Sequence, residues 1–173
     1  MTDAIPLSAG DTSWMLIASA MVLFMTPGLA FFYGGFVRNK NVLGTIMQSF
    51  IVMGLVGVLW VVIGYTLAFG PDAGGWGIIG NLDHIGLKGV GAAGDSQAGP
   101  AIPHEAFMIF QAMFAIITPA LITGAFAERA KFSTFCVFMV VWSLLVYSPV
   151  AHGVWSLGGW LGGLPEENGD VGI

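Results

Sequence analysis

The sequence predicts an all-α integral membrane protein with four transmembrane helices. Of its 173 residues, 56% are hydrophobic and only 9% are charged, whereas soluble domains usually carry about 25% charged residues. Its uncharged runs are long enough to cross a bilayer as helices, because about 20 apolar residues suffice for this. Short charged turns and one polar, glycine-rich loop separate the runs. Together these observations exclude an ordinary soluble domain.

The first predicted span covers residues 14–37, and the second covers residues 42–69. Pro27 lies in the middle of the first span and removes a backbone hydrogen bond, so we expect the helix to bend there. Ala30 and Gly34 form a small-xxx-small pair, which predicts that a neighbouring helix approaches closely on that face. With 26 Gly and eight Pro in the chain, we expect helices that are close-packed and locally broken.

The remaining segments are a polar outer loop over residues 70–103, a third span over residues 105–127 and a fourth span over residues 132–151. Pro119 predicts a second bend, in the third span. Beyond the fourth span the chain stays rich in glycine, and Gly158–Gly162 and Gly159–Gly163 are further small-residue pairs typical of close helix contacts.

The distribution of charge predicts the orientation of the four spans. Arg38 and Lys40 lie in the turn after the first span, and Arg129 and Lys131 lie in the turn after the third. The N-terminus, the long loop and the C-terminal end are acidic. Since basic loops remain on the cytoplasmic side, we expect a multi-pass protein of the plasma membrane with its N-terminus outside.

Aromatic residues on the third span suggest a function. Phe107, Phe110 and Phe114 follow one another at i, i+3 and i+7 and therefore share one helical stripe, and Gln111 is adjacent to it. In the predicted orientation Phe110 lies in the outer third of the span, and Phe114 lies about 6 Å deeper. Trp155, just past the fourth span, is expected at the same outer level.

A group of aromatic faces at an outer vestibule suits a small cation, because cation–π attraction provides up to about 2 kcal/mol when the pair is desolvated. The uncharged runs contain no acid, so an ion crossing intact would meet an uncompensated barrier of several kcal/mol or more. A weak base can cross in its neutral form, which desolvation favours. The alternative is an aromatic belt that only anchors the helices at the interface.

Other function classes find no support in the sequence. Cys136 is the only cysteine, so neither an intramolecular disulfide nor a cysteine metal cluster can form. Metal-ligand spacing, a nucleophile elbow and a phosphate loop are all lacking, which argues against an enzyme, a cofactor or a bound metal. The net charge of −5 comes mostly from acids in the polar loops and gives no indication of nucleic-acid binding.

Three stretches of the sequence resemble the ammonium transporter family (Amt/Mep/Rh), with the bacterial-type Amt branch as the nearest. MTPGLAFFYGGFVRNKNVL (Met25–Leu43) is similar to the first helix of the family, AFMIFQAMFAIITPALITGAFAERAKF (Ala106–Phe132) to the third, and YSPVAHGVWSLGGWL (Tyr147–Leu161) to the outer end of the fourth. The resemblance extends from Trp14 to Leu164. It implies the N-terminal part of an eleven-helix fold that is built from two inverted five-helix halves.

The resemblance also implies a function and its residues. A homotrimer in the cell inner membrane, with a pore in each subunit, would take up ammonium or methylammonium. NH4+ would be recruited at an outer aromatic site, deprotonated and conducted through a hydrophobic pore. By resemblance, Phe110 and Trp155 match the aromatic pair of the recruitment site, Phe114 the outer of two stacked gate phenylalanines, and Gln111 a polar position beside the pore. In this family a cytoplasmic PII-type regulatory protein is a further partner.

The sequence also departs from the family pattern. The two pore histidines, the second gate phenylalanine and the recruitment-site hydroxyl of the family fall beyond Ile173. Asp170 does not match the Asp-Phe-Ala-Gly-Gly motif that opens helix five, so we expect an N-terminal fragment that ends before that helix and does not conduct alone. His104 and His152 match neither pore histidine, and we expect structural or solvated roles for them. His84, in the outer loop, is expected to be solvated.

Two alternatives to a transporter remain open at this point. The first is an ammonium sensor, in which the same recruitment site is coupled to a signalling domain; it would require a soluble cytoplasmic module that these 173 residues do not resemble. The second is a half-size protein that dimerises into a complete pore. That arrangement requires a partner of inverted topology, and the basic bias of the two inner turns argues against it.

Overall fold

The chain folds into a bundle of helices in the computed structural model, which describes residues 6–95 and 99–161. Four helical segments in these ranges are long and apolar enough to cross a membrane, namely Ala9–Gly34, Asn39–Phe69, His104–Phe126 and Phe132–Trp155. The predicted class, an all-α membrane protein with four transmembrane helices, is therefore confirmed.

Helix α1 covers Ala9–Gly34 and begins before the predicted span because of a polar cap. The Ser8 Oγ accepts a hydrogen bond from the Asp11 backbone N–H at 3.2 Å, and the Asp11 carboxylate in the first turn complements the positive end of the helix dipole. The Ser8 N–H donates to the Ala101 carbonyl at 2.8 Å. The outer end of α1 is thus tied to the outer loop.

The second and fourth spans share an arrangement that the sequence did not reveal, in which a π-helical turn lies between two α-helices. The second span comprises a short 3₁₀ turn, Asn39–Asn41, then α2 (Val42–Leu59), a π segment (Trp60–Gly64) and α3 (Tyr65–Phe69). The fourth comprises α5 (Phe132–Trp142), a π segment (Ser143–Tyr147) and α6 (Ser148–Trp155). Neither π segment contains a proline, whereas α1 continues through Pro27 as one helix.

The third span is a single helix, α4 (His104–Phe126), which contains Pro119. The outer loop before it includes a 3₁₀ turn, Ile85–Leu87, and two short antiparallel strands, β1 (Gly94–Asp95) and β2 (Gly99–Pro103).

The outer loop folds back onto the end of the second span. The Gly80 N–H donates to the Leu67 carbonyl at 2.8 Å, and the Thr66 hydroxyl donates to the Asn81 carbonyl at 2.8 Å. A Cβ at Gly80 would lie 2.3 Å from the Thr66 carbonyl oxygen, so only glycine permits this approach. The loop is therefore a packed layer over the outer end of the bundle.

Helix α1 packs against both α2 and α4, and α3 packs against α6. The close approach predicted at the Ala30–Gly34 pair is present: Ala30 is fully buried, and a Cβ at Gly34 would lie 3.3 Å from Ile46 Cγ1. The predicted glycine pairs beyond the fourth span end at Gly162 and Gly163, which lie outside the described residues.

The inner turns are held together by Glu128. Its Oε1 accepts hydrogen bonds from the Arg38 backbone N–H at 2.9 Å and from Asn41 Nδ2 at 2.8 Å. The Asn41 amide, the Arg38 N–H and the nearby positive charges of Arg38 and Lys40 hold the pKa of Glu128 below its usual value, against a smaller opposing effect of burial. Glu128 has a left-handed backbone, with φ of 63°. Just above this turn the Tyr33 hydroxyl donates to the Leu121 carbonyl at 2.7 Å.

Candidate functional site

Phe110 and Phe114 form an edge-to-face pair on α4. Their ring centroids are 5.0 Å apart, with an angle of 73° between the ring planes, and both side chains are half-buried. The contact arises because residues at i and i+4 lie above one another on a helix. Gln111 is half-buried beside them. Three of the four residues singled out in the sequence are therefore neighbours on one helix.

A buried aromatic cluster supports the outer part of α4 from behind. The Trp60 indole N–H donates to the Met108 carbonyl at 3.3 Å, and the Phe107 ring meets the Phe69 ring edge-on, with centroids 5.2 Å apart. Trp60 and Phe69 are also in edge-to-face contact, at 6.1 Å. Edge-to-face pairs at such distances are favourable arrangements of aromatic rings. The position of α4 is thus set by the second span.

Trp155, the fourth predicted site residue, is the last residue of α6 and is 51% exposed. The helix ends there because Ser156 adopts an extended conformation, with φ of −75° and ψ of 146°. Within the described ranges the Trp155 ring does not contact the ring of Phe110 or of Phe114. The structure therefore places Trp155 at the C-terminal end of its span, with its ring apart from the Phe110–Phe114 pair.

His152 fixes the end of the span that carries Trp155. Its side chain has no exposed surface, and its Nδ1 lies 3.0 Å from the Ala68 carbonyl oxygen. Because a carbonyl can only accept, Nδ1 carries a proton. Nε2 lies 3.4 Å from Asp72 Oδ1. Of the two roles expected for His152, structural or solvated, the structural one applies, because the loop after the second span covers it.

Asp72 presents its carboxylate to His152 from the outer loop. Its other oxygen, Oδ2, accepts hydrogen bonds from the N–H groups of Gly74 at 3.1 Å and Trp76 at 3.0 Å. Burial raises the pKa of Asp72, but hydrogen bonds from four loop N–H groups lower it by more, so that the net pKa is below the usual value. The carboxylate is ionised at neutral pH.

The two other histidines contact each other where the loop before α4 meets the start of that helix. His104, at the start of α4, is 3% exposed, and its Nε2 is hydrogen-bonded to the Tyr65 hydroxyl. The His84 ring packs edge-on against the His104 ring, with centroids 5.4 Å apart, and its Nδ1 donates to the Lys88 carbonyl at 3.0 Å. Of the structural and solvated roles expected for His104, the structural one applies, whereas His84, which was expected to be solvated, is half-buried.

Aromatic rings and the Gln111 amide are the groups that this part of α4 presents. Within residues 6–95 and 99–161, no three His, Cys, Asp or Glu side chains lie close enough to hold a metal ion. The contact between His152 and Asp72 was not predicted from the sequence. A Gly-rich stretch that opens with Asp predicts a turn in which the carboxylate accepts nearby N–H groups, but it does not predict a distant histidine partner.

Comparisons with known proteins agree with this architecture. Residues 13–168 match the family model described as "Ammonium Transporter Family". An ammonium transporter of Bacillus subtilis is 53% identical over 159 residues, which are 91% of this chain and 38% of that protein. One of Mycobacterium tuberculosis is 47% identical over an alignment of 173 positions, which covers 88% of this chain and 36% of that protein. These relatives are named as transporters rather than enzymes. The chain spans little more than a third of their length.

Two solved structures are similar in fold. Mep2 of Saccharomyces cerevisiae superposes with a TM-score of 0.80 and 34% identity, and the match covers 89% of this chain and 33% of that chain. A protein described as "Sensor Amt Protein" superposes with a TM-score of 0.74 but only 21% identity, covering 93% of this chain and 36% of that chain. The second match establishes likeness of fold alone.

Proposed function

The chain belongs to the ammonium transporter family, and from this premise we propose that it forms part of a protein that moves ammonium across a membrane. The single observation that carries the proposal is the family match over residues 13–168. The helical bundle with four apolar spans is consistent with it. Because the chain spans 38% of the length of its Bacillus subtilis relative, the activity is proposed for the full-length protein.

We assign the recruitment of NH4+ to Phe110, Gln111 and Trp155, and the outer gate of the pore to Phe114. In support, the face of an aromatic ring attracts a cation without a buried counter-charge. Phe110 already has its ring edge-on to Phe114 at 5.0 Å, so a cation held at Phe110 would lie directly outside Phe114. Trp155 is half-exposed at the outer end of its span and is free to contribute its indole face.

Passage beyond Phe114 would favour the neutral molecule. The described part of the spans below Phe114 presents apolar residues, hydroxyls and the Gln48 amide, and no carboxylate until Glu128 in the inner turn. Desolvation in such surroundings disfavours the charged form of a weak base. Ammonium would therefore give up its proton to solvent water at the outer aromatic site, and ammonia would continue inward.

Family membership supports a proposal for the wider assembly. We propose a homotrimer in the cell inner membrane with the N-terminus outside, carrying ammonium or methylammonium, with a PII-type regulatory protein as cytoplasmic partner. The basic inner turns support the orientation. The sensor alternative has only the likeness of fold at 21% identity in its favour, so transport is the function we adopt.

Uptake of radiolabelled methylammonium tests the proposal. The full-length gene would be expressed in cells that lack their own ammonium transporters, with the protein quantified in the membrane fraction. We expect saturable uptake above that of cells with an empty vector, and inhibition of the uptake by ammonium. A protein that is present in the membrane but gives no uptake above the vector would overturn the proposal.

A further inference from the structure

His152 is a buried titratable residue for which the proposed transport has no use. Its side chain has no exposed surface, and its Nδ1 donates a proton to the Ala68 carbonyl oxygen at 3.0 Å. The other ring nitrogen, Nε2, makes no hydrogen bond of normal geometry within the described residues. It lies 3.4 Å from Oδ1 of Asp72, which is an ion-pair distance. Since buried polar atoms nearly always have a partner, the protonation of Nε2 needs a physical explanation.

The proton on Nε2 decides whether the contact with Asp72 is attractive or repulsive. Because Nδ1 already carries the proton that the Ala68 carbonyl accepts, a neutral imidazole would direct the Nε2 lone pair at a carboxylate. An imidazole with a second proton, on Nε2, would instead place a positive charge beside a negative one. A protonated Asp72 is disfavoured, because its Oδ2 accepts hydrogen bonds from the N–H groups of Gly74 and Trp76, which stabilise the ionised form.

The elements packed around His152 carry one other charged residue. In the described part of the chain these elements are α3, the π segment before α6, α6 itself, and the stretches of residues 70–80 and 156–161. Besides His152, Asp72 is the charged residue that they contain. Their other titratable side chains are the hydroxyls of Tyr65 and Tyr147, and tyrosine is neutral at physiological pH. Asp72 therefore dominates the electrostatic surroundings of the imidazole.

The loop that carries Asp72 fits closely onto the stretch after α6. The Trp160 N–H donates to the Gly77 carbonyl at 3.2 Å, and a Cβ at Gly77 would lie 2.5 Å from the Trp160 nitrogen. A Cβ at Gly158 would lie 3.3 Å from Asp72 Cβ. The Asp72 side chain nevertheless keeps 15% of its surface exposed. A proton from solvent can therefore reach the pair on the Asp72 side, although His152 itself is covered.

We propose that His152 and Asp72 form a proton-binding site, in which a proton taken from solvent onto Nε2 holds the loop of residues 70–80 closed over the end of the fourth span. Release of the proton leaves a lone pair against a carboxylate, so the pair stabilises the closed loop at low pH and ceases to do so as the pH rises. The His152 carbonyl accepts the Ser156 N–H at 3.1 Å, where α6 ends after Trp155. Any consequence for ammonium at Trp155 rests on the proposed function, whereas the proton site does not.

Solid-state NMR of the full-length protein in lipid bilayers tests the protonation of His152 directly. The histidines would be isotope-labelled, and the ring signals of His152 would be assigned through its own backbone signals. We expect both ring nitrogens to carry a proton near pH 6, and Nε2 to lose its proton as the pH is raised toward about 9. One protonated ring nitrogen near pH 6 would overturn the proposal. So would a ring that keeps both protons over the whole range.

The pH dependence of Asp72→Asn gives an independent test, because a contact made by packing alone would not change over this range. The asparagine oxygen can still accept the loop N–H groups, and its NH2 group would then face Nε2. It would repel the protonated ring and could donate to the neutral one. We expect the substitution to lower the midpoint of thermal unfolding by about 2–4 °C near pH 6 and by less, or not at all, near pH 9.

Asp11→Asn is the matched control for Asp72→Asn. Asp11 is an exposed acid in the first turn of α1, and aspartate there is ionised at both pH values, so its substitution should shift the midpoint equally at both. A loss in Asp72→Asn that is the same at both pH values, or larger near pH 9, would overturn the proposal. Neither measurement involves transport, so failure of the proton site would leave the proposed function untouched.

Discussion

His152 and Asp72 meet across the outer end of the bundle, with Nε2 of the imidazole 3.4 Å from Oδ1 of the carboxylate. One residue belongs to the last turns of the fourth span and the other to the loop after the second. The second ring nitrogen of His152 is engaged by the Ala68 carbonyl at 3.0 Å. The imidazole therefore joins α3, α6 and the outer loop, one turn before Trp155. The position of Trp155 depends on a contact between distant parts of the chain.

This contact predicts that His152→Ala greatly lowers the stability of the folded protein. The substitution removes a fully buried side chain together with its hydrogen bond to Ala68, so we expect a loss on the order of 3 kcal/mol in the free energy of unfolding. Thermal unfolding of the full-length protein in detergent would measure it. His84→Ala is the control, because His84 is only half-buried. Equal losses of stability in both variants would contradict the conclusion that His152 joins α3, α6 and the outer loop.

The inner ends of α1 and α4 should not tolerate a side chain at Gly124. A Cβ there would lie 2.6 Å from the Tyr33 ring, so Gly124→Ala must push the two helices apart or displace Tyr33 from its bond to Leu121. We expect a destabilisation of about 1–3 kcal/mol, measured by thermal unfolding.

Gly28→Ala, on α1, is the matched control for Gly124→Ala. A Cβ at Gly28 meets nothing within 4 Å, and alanine is the better helix former by up to about 1 kcal/mol. We therefore expect Gly28→Ala to be neutral or stabilising. The same loss of stability in both variants would show that the close contact at Tyr33 is not the cause.

The stability contributed by the hydrogen bonds of Glu128 between the inner turns should depend on pH. Its hydrogen bonds from Asn41 and Arg38 lower its pKa below the usual 4.5. A carboxylate with a lowered folded-state pKa contributes stability that is complete above the usual pKa and is lost as the pH falls through the folded-state value. We therefore expect Glu128→Gln to lower the unfolding midpoint at pH 7, and the difference from the unsubstituted protein to disappear as the pH falls well below 4.5. A difference independent of pH would contradict this account.

The proposed orientation predicts which turns react from each side of the membrane. With the native Cys136 replaced by alanine, Lys88→Cys in the outer loop should react with a membrane-impermeant maleimide in intact cells. Lys40→Cys, in the inner turn, should react only after the cells are permeabilised. Both lysines are exposed, so access and not burial decides the result. The reverse pattern would refute the assignment of the N-terminus to the outside.

The number and type of helices could be predicted from the sequence because they depend on local properties. Long uncharged runs have to be helical in a membrane, where each backbone polar group must be satisfied within its segment. The Phe110–Phe114 contact could be anticipated for the same reason, since helical spacing alone brings them together. The start of α1 at Ala9 was missed because its cap depends on the single Ser8 side chain.

The features that could not be predicted depend on contacts between distant segments. The π segments contain no proline or other local signal and occur where Trp60 and Tyr147 pack together. The burial of His152 requires the outer loop to fold over it with Asp72 at the correct place. Charge distribution and spacing carry no information about that fold of the loop. The position of His152 near the membrane edge is therefore predictable from the sequence, whereas its partners Ala68 and Asp72 are not.

The measurement that tests the central claim most directly is the concentration dependence of methylammonium uptake by Phe110→Ala and Trp155→Leu in the full-length protein. Trp14→Leu is the matched control, because Trp14 is also an exposed tryptophan, at 71%, near the outer end of a span. Loss of a cation–π contact of about 0.5–2 kcal/mol should raise the half-saturating concentration between about 2-fold and 30-fold in the first two variants and leave it unchanged in the control. Half-saturation unchanged in all three variants would contradict the claim and leave these aromatic residues as an interfacial belt.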